Sequence, residues 1–212
     1  MEIAFLLFDG VTHLDAVGPY AVLQNLPDAD VKFVARDTGT YRDKSRMLGL
    51  EADFTLDQVP NPDILVVPGG GGADAASEDT AVTDWVAHCH TSSRWTTSVC
   101  TGALILGGAG VLKGRPATTH WRAMETLAEK HGARPTAERV VRDGKVITAA
   151  GVSSGIDMAL TLAALEAGEE VAKTIQLGIE YAPEPPFDAG HFATAPAERV
   201  RRWRAGLNKA RR

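Results

Sequence analysis

The chain has 212 residues, 44% of them hydrophobic and 23% charged. These are the proportions of an ordinary folded protein, and they exclude disorder, collagen-like repeats and a coiled coil. The length suits one domain able to bury roughly 70% of its unfolded surface without a disulfide staple or a structural metal. The formal net charge of −5 is unevenly spread: Arg199, Arg201, Arg202, Arg204, Lys209, Arg211 and Arg212 share residues 199 to 212 with no acid. The rest is strongly acidic, which argues against nucleic acid as a partner.

In chain order, Ile3 to Phe8 is a continuous apolar run closed by Asp9-Gly10, the pattern of a strand buried on both faces. The run is far shorter than a signal-peptide core, and no uncharged apolar stretch approaches the length of a bilayer. A cytoplasmic location with reduced thiols and no membrane partner is expected. A helix from Ala16 to Leu26 follows, with Pro19 in its first turn. Val31 to Ala35 alternates as a strand and turns near Asp37-Thr38-Gly39. Ile64 to Val67 is a second buried strand, stopped by Pro68-Gly69-Gly70-Gly71-Gly72. An amphipathic helix is expected over Ala81 to Thr91, a strand over Trp95 to Val99, and a small apolar helix over Gly102 to Ala109. Trp121 to His131 reads as a helix stopped by Gly132. Val140 to Ile147 reads as a hairpin around Asp143-Gly144. Helices over Ser154 to Ala167 and Glu169 to Tyr181 complete the body. Pro183, Pro185 and Pro186 then lead into a basic helix from about Pro196, read as a solvated or dimer-edge face with Trp203 as an apolar anchor. Strands alternating with helices indicate a three-layer α/β sandwich with a mostly parallel sheet. The expected organisation is one domain over residues 1 to 212, with a C-terminal arm from about 183.

The chemistry-bearing stretch is Ser98-Val99-Cys100-Thr101-Gly102-Ala103-Leu104. A buried strand ends at a cysteine and a helix of small residues begins at once, as in a nucleophile elbow. The tight turn projects the side chain, and the helix N-terminus offers unpaired N–H groups to a thiolate. The Gly69–Gly72 loop follows another buried strand, at the same carboxyl edge where open α/β sheets bind ligands. Its backbone N–H groups, those of Gly70 and Gly71 among them, can hold developing negative charge. Neither a phosphate loop nor a dinucleotide fingerprint is present. Asp15 is either the N-cap of its helix or a carboxyl beside the thiol. In the second case, one proton shared between the two acids keeps the sulfur anionic and is poised for transfer to substrate. His120 either lines the pocket or hydrogen-bonds in the interior, and Ser154 caps a helix whose loop borders the site. His13 either faces a dimer partner or lies at the surface. His88-Cys89-His90 is not expected to bind metal, because consecutive helical positions point about 100° apart. Trp85, Trp95 and Trp121 are read as core.

The set F-L-L-F-D-G-V-x-x-L-D-x-x-G-P, V-P-G-G, T-S-V-C-T-G, L-x-G-R-x-A-T-T-H-W and G-x-x-x-G-I-D resembles the ThiJ/PfpI branch of the class I glutamine amidotransferase-like superfamily. Within that branch it is nearest the isonitrile (isocyanide) hydratase subgroup, as is the tail from Leu177 to Gly190. The resemblance covers about residues 3 to 200 and implies a flavodoxin-like homodimer. It makes Cys100 the nucleophile, Asp15 its carboxyl partner, Thr101 a donor of its N–H and a hydroxyl contact, and Gly70 a second oxyanion donor. Thr101 stands where protease-like members carry histidine, and no late H-x-E pair follows. The implied reaction is hydration of a small isocyanide to a formamide, with no cofactor and no metal. Two rivals remain: a glyoxalase- or deglycase-like enzyme acting on small carbonyls, and a free-standing redox sensor using Cys100. The regulators built on related domains need a helix-turn-helix pair, and about thirty residues after Tyr181 are too few for two such motifs.

Overall fold

A computed structural model describes residues 1–206. The chain divides into two compact units, the first spanning Met1–Glu180 and the second beginning at Tyr181.

The first unit contains strands β1 (Glu2–Leu6), β2 (Asp30–Ala35), β3 (Gly39–Arg42), β4 (Gly49–Ala52), β5 (Phe54–Thr55), β6 (Ile64–Val67), β7 (Trp95–Val99), β8 (Pro116–Ala117), β9 (Arg134–Pro135), β10 (Val140–Asp143) and β11 (Val146–Ala149). Its helices are α1 (His13–Leu23), α2 (Ala73–Ala76), α3 (Thr80–Ser92), α4 (Gly102–Gly108), α5 (Met124–Glu129), α6 (Ser154–Ala167) and α7 (Glu169–Gly178). Seven strands form one sheet in the order β10-β11-β7-β6-β1-β2-β5, and β10 alone pairs antiparallel.

Both faces of the sheet are covered, which is why its central strands are apolar without alternation. Side chains of successive strand residues point to opposite faces. Ile3 and Phe5 of β1, with Ile64 and Val66 of β6, pack against Ala16, Val22 and Leu23 of α1 and Met158 and Leu162 of α6. Ala4, Leu6, Leu65 and Val67 face the other way, toward Val82, Trp85 and Val86 of α3 and Leu104 to Leu106 of α4. The result is a flavodoxin-like three-layer α/β sandwich.

The expected strands and helices recur with three informative differences. α1 begins at His13, three residues earlier than its apolar pattern suggests, with Thr12 in the N-cap position. The expected helix over Trp121 to His131 starts as a 3₁₀ turn at Trp121–Ala123 and becomes α-helical only at Met124. The β3–β4 hairpin was not expected. It closes through the Asp43 carboxylate, which accepts from the N–H groups of Met47 (3.0 Å) and Leu48 (3.2 Å).

In the second unit, His191 caps a 3₁₀ turn over Phe192–Thr194, and helix α8 (Ala197–Ala205) carries Arg199, Arg201, Arg202 and Arg204. Lys209, Arg211 and Arg212 lie outside the described residues. No helix among the described residues is long and apolar enough to cross a membrane.

Candidate active site

β1, β6, β7 and β11 are neighbours and run parallel, so the loops after their carboxyl ends meet at one edge of the sheet. Cys100 follows β7 at φ 56°, a left-handed conformation that side chains rarely adopt. Such a residue costs on the order of 1–3 kcal/mol and persists only where its surroundings hold it. Here its N–H is shared between Ala149 O (3.0 Å) and Ala150 O (2.9 Å), and its carbonyl accepts from Thr119 Oγ1 at 2.7 Å. The glycines permit the close approach: a Cβ on Gly102 would sit 2.1 Å from Val67 O, and one on Gly69 would sit 2.5 Å from Thr101 N.

Asp15 is the third residue of α1 and not its cap. Its carboxyl is fully buried, and Oδ2 accepts from Gly69 N at 3.0 Å. Oδ1 has no partner of regular hydrogen-bond geometry among the described residues. Burial raises the Asp15 pKa to about 7, against the opposing pull of the Gly69 N–H and the Cys100 thiol. Cys100 is 5% exposed. Burial first, and then the charge of Asp15, push its thiol up to about 12, while the N–H groups of Thr101 and Val152 favour the thiolate. Two acids this strongly coupled titrate as a unit. Between about 7 and about 12 the pair therefore carries one proton and one negative charge.

The other expected site residues are placed as follows. Thr101 Oγ1 accepts from Gly70 N (2.8 Å) and donates to Gly70 O (3.1 Å). The Gly70 N–H, expected to face an oxyanion, is thus already occupied, and the Thr101 hydroxyl pins the glycine loop. Gly71 is exposed, and a Cβ there would sit 3.4 Å from the Lys44 stem. His120 is half-buried and caps the 3₁₀ turn, its Nδ1 accepting from Arg122 N at 3.3 Å. Its ring lies so close to Gly151 that a Cβ there would be 2.7 Å from Cδ2, and burial lowers its pKa. Ser154 is fully buried at the start of α6 and donates to Gly151 O at 3.0 Å, tying down the loop that carries Val152.

Three contacts at the site were not assigned to their residues by the sequence, although Gly69 lies in the glycine loop that it singled out. Gly69 and Val152 act through backbone N–H groups, and Thr119 acts through a contact spanning 19 residues. Val152 is itself at a positive φ of 32°.

Away from this site, His13 is buried, with Nε2 3.2 Å from Tyr41 O, which corrects the surface placement. Cys89 is buried and donates to Pro60 O at 3.4 Å, His90 Nδ1 meets Thr96 Oγ1 at 2.9 Å, and His88 is exposed. The three neighbours thus point apart, and among the described residues no group of three or more His, Cys, Asp or Glu is placed to hold a metal. Trp85 is core, and Trp95 is partly buried with its Nε1 donating to Glu166.

Residues 1–165 match the DJ-1/PfpI family. The chain belongs to the DJ-1/PfpI family. Among its DJ-1/PfpI relatives, isonitrile hydratase of Pseudomonas putida is 45% identical, over 93% of this chain and 86% of that protein. A ThiJ/PfpI family protein from Pseudomonas syringae superposes with a TM-score of 0.91 at 38% identity, covering 97% of this chain and 85% of its own. DJ-1beta of Drosophila melanogaster superposes with a TM-score of 0.76 at 23% identity, over 86% and 98% of the two chains, a likeness of fold.

Proposed function

We propose that this protein is a lyase that hydrates isocyanides to N-substituted formamides, with Cys100 as nucleophile and Asp15 as proton carrier. The observation that supports this most is the buried Asp15–Cys100 pair, which carries one proton and one negative charge above about pH 7 at the tip of a strained elbow. A group that attacks carbon and a group that protonates the same carbon are what addition across R–N≡C requires. The 45% identity to an isonitrile hydratase points to the same substrate class.

In the proposed sequence, the Cys100 sulfur bonds to the terminal carbon while Asp15 delivers its proton to that carbon, giving a thioimidate, R–N=CH–S. Asp15, now a carboxylate, draws a proton from water as the hydroxide adds to the carbon, and passes that proton to nitrogen. The carbon–sulfur bond then breaks, the hydroxyl proton returns to Asp15, and R–NH–CHO leaves. The Thr101 and Val152 N–H groups stabilise the sulfur whenever it carries the charge. Every bond change is balanced by protons and water, so no redox cofactor or metal takes part. The reading includes a cytoplasmic homodimer with a small-molecule isocyanide as its only ligand.

The test is incubation with a panel of alkyl and aryl isocyanides, following formamide by NMR and the Cys100 peptide by mass spectrometry. Formamide production with a transient adduct of the substrate's mass on Cys100, lost in Cys100→Ser, is the expected result. Turnover of methylglyoxal with no hydration of any isocyanide would replace this reading by the carbonyl one.

A further inference from the structure

The Cys100–Thr101 peptide plane is held from outside the elbow. Its carbonyl oxygen accepts from the Thr119 hydroxyl at 2.7 Å, while the bond donated to it by Ala103 N–H is long at 3.4 Å. Thr119 is fully buried. A trans peptide is rigid and planar, so fixing its C=O fixes the N–H on the opposite side. That N–H belongs to Thr101, one of the two backbone donors facing the Cys100 sulfur. A non-glycine residue at φ 56° gains nothing locally by staying there, so the plane depends on contacts of this kind for its orientation.

We infer that Thr119 is a positioning residue for the nucleophile: its hydroxyl aims the Thr101 N–H at the Cys100 sulfur by gripping the far side of the same peptide. The inference rests on the proposed role of Cys100 for its effect on turnover, but its geometric part stands independently. The charged or titratable groups around the sulfur are Asp15 on α1 and, against the Gly151 loop, His120. Neither is altered by changing the Thr119 hydroxyl.

The test compares Thr119→Val, which keeps the shape and removes the donor, with Thr119→Ser, which keeps the donor, and with Thr119→Ala should valine fold poorly. The first readout is the pH dependence of Cys100 alkylation by iodoacetamide, followed on the Cys100 peptide, which needs no isocyanide. Valine and alanine are expected to move the alkylation midpoint up by roughly one pH unit, so that alkylation below it slows about tenfold. Serine is expected to superimpose on the parent. The second readout is isocyanide hydration, where kcat/KM should fall about tenfold in valine and stay within about twofold in serine. A valine profile that overlays the parent overturns the inference even if melting drops, because a purely structural threonine lowers stability without moving the thiol's titration. A serine profile displaced as far as valine's overturns it as well. If the alkylation shift is seen and no isocyanide is hydrated by any form, the proposed reaction fails and the positioning role survives.

Discussion

Asp15→Asn should make the folded chain more stable at pH 8 and less stable at pH 4. Asp15 is fully buried, and its pKa rises from 3.8 to about 7 on folding. The native state therefore binds this proton more tightly than the unfolded chain does. Stability from this group is fully present below about pH 4, is lost as pH rises toward about 7, and levels off above it. At about 1.36 kcal/mol per pH unit, that loss is on the order of 4 kcal/mol by pH 8. Asparagine carries no charge and can still accept from Gly69 N. Its amide nitrogen, however, must occupy the place of Oδ1, which has no regular partner, at a cost of about 1–3 kcal/mol. The variant should thus gain about 1–3 kcal/mol over the parent at pH 8 and lose a similar amount at pH 4. Urea unfolding of both proteins from pH 4 to pH 8 measures the difference, and stopping at pH 8 keeps Cys100 mostly protonated in the unfolded reference. A difference that stays constant across this range would refute a buried, proton-binding Asp15. The same variant should have lost its isocyanide turnover, so stability and activity move in opposite directions at one position.

Further outcomes follow from the same geometry. Hydration should rise with pH to a plateau with an apparent pKa near 7, because below it the Asp15–Cys100 pair takes up a second proton and no nucleophile remains; a kcat/KM profile flat from pH 5 to 8 would contradict this. Gly69→Ala places a methyl 2.5 Å from Thr101 N and 2.7 Å from Thr101 Oγ1, so melting temperature and hydration should both fall, the latter at least about a hundredfold. Thr101→Val breaks both bonds to Gly70 and leaves its N–H unpaired while its carbonyl keeps Ala73 N, at about 1–3 kcal/mol, whereas Thr101→Ser should keep near-parental unfolding in urea.

Much of the framework was legible because its signals are local. Ser154 to Ala167 reads as a helix with the bounds it has, and Asp143-Gly144 marks the hairpin between β10 and β11. β6 and β7 announce themselves as short apolar or β-branched runs ending in glycine or cysteine. The β3–β4 hairpin was illegible because its turn has no Asn-Gly or Asp-Gly pair and is organised by one side chain, Asp43. Asp15 was ambiguous because an acid before an apolar helix fits both a cap and a buried carboxyl. The start of α1 at His13 decides between them, and nothing in the local pattern sets that start. Of the site, the side chains of Cys100, Asp15 and Thr101 were marked by residue type, and the glycine loop and the Thr101 N–H by the turn that follows each strand, while the Val152 N–H was not marked at all. Every residue but proline carries such a group, and only the fold says which ones face a sulfur.

The close approaches at Gly69 and Gly102 have a consequence for motion. With main chain resting on main chain, only the short Thr101 side chain lies between the β6 and β7 loops to absorb a displacement. A shift of either loop therefore presses on the other and, through the Gly69 N–H that Asp15 accepts, reaches the carboxyl beside the thiol.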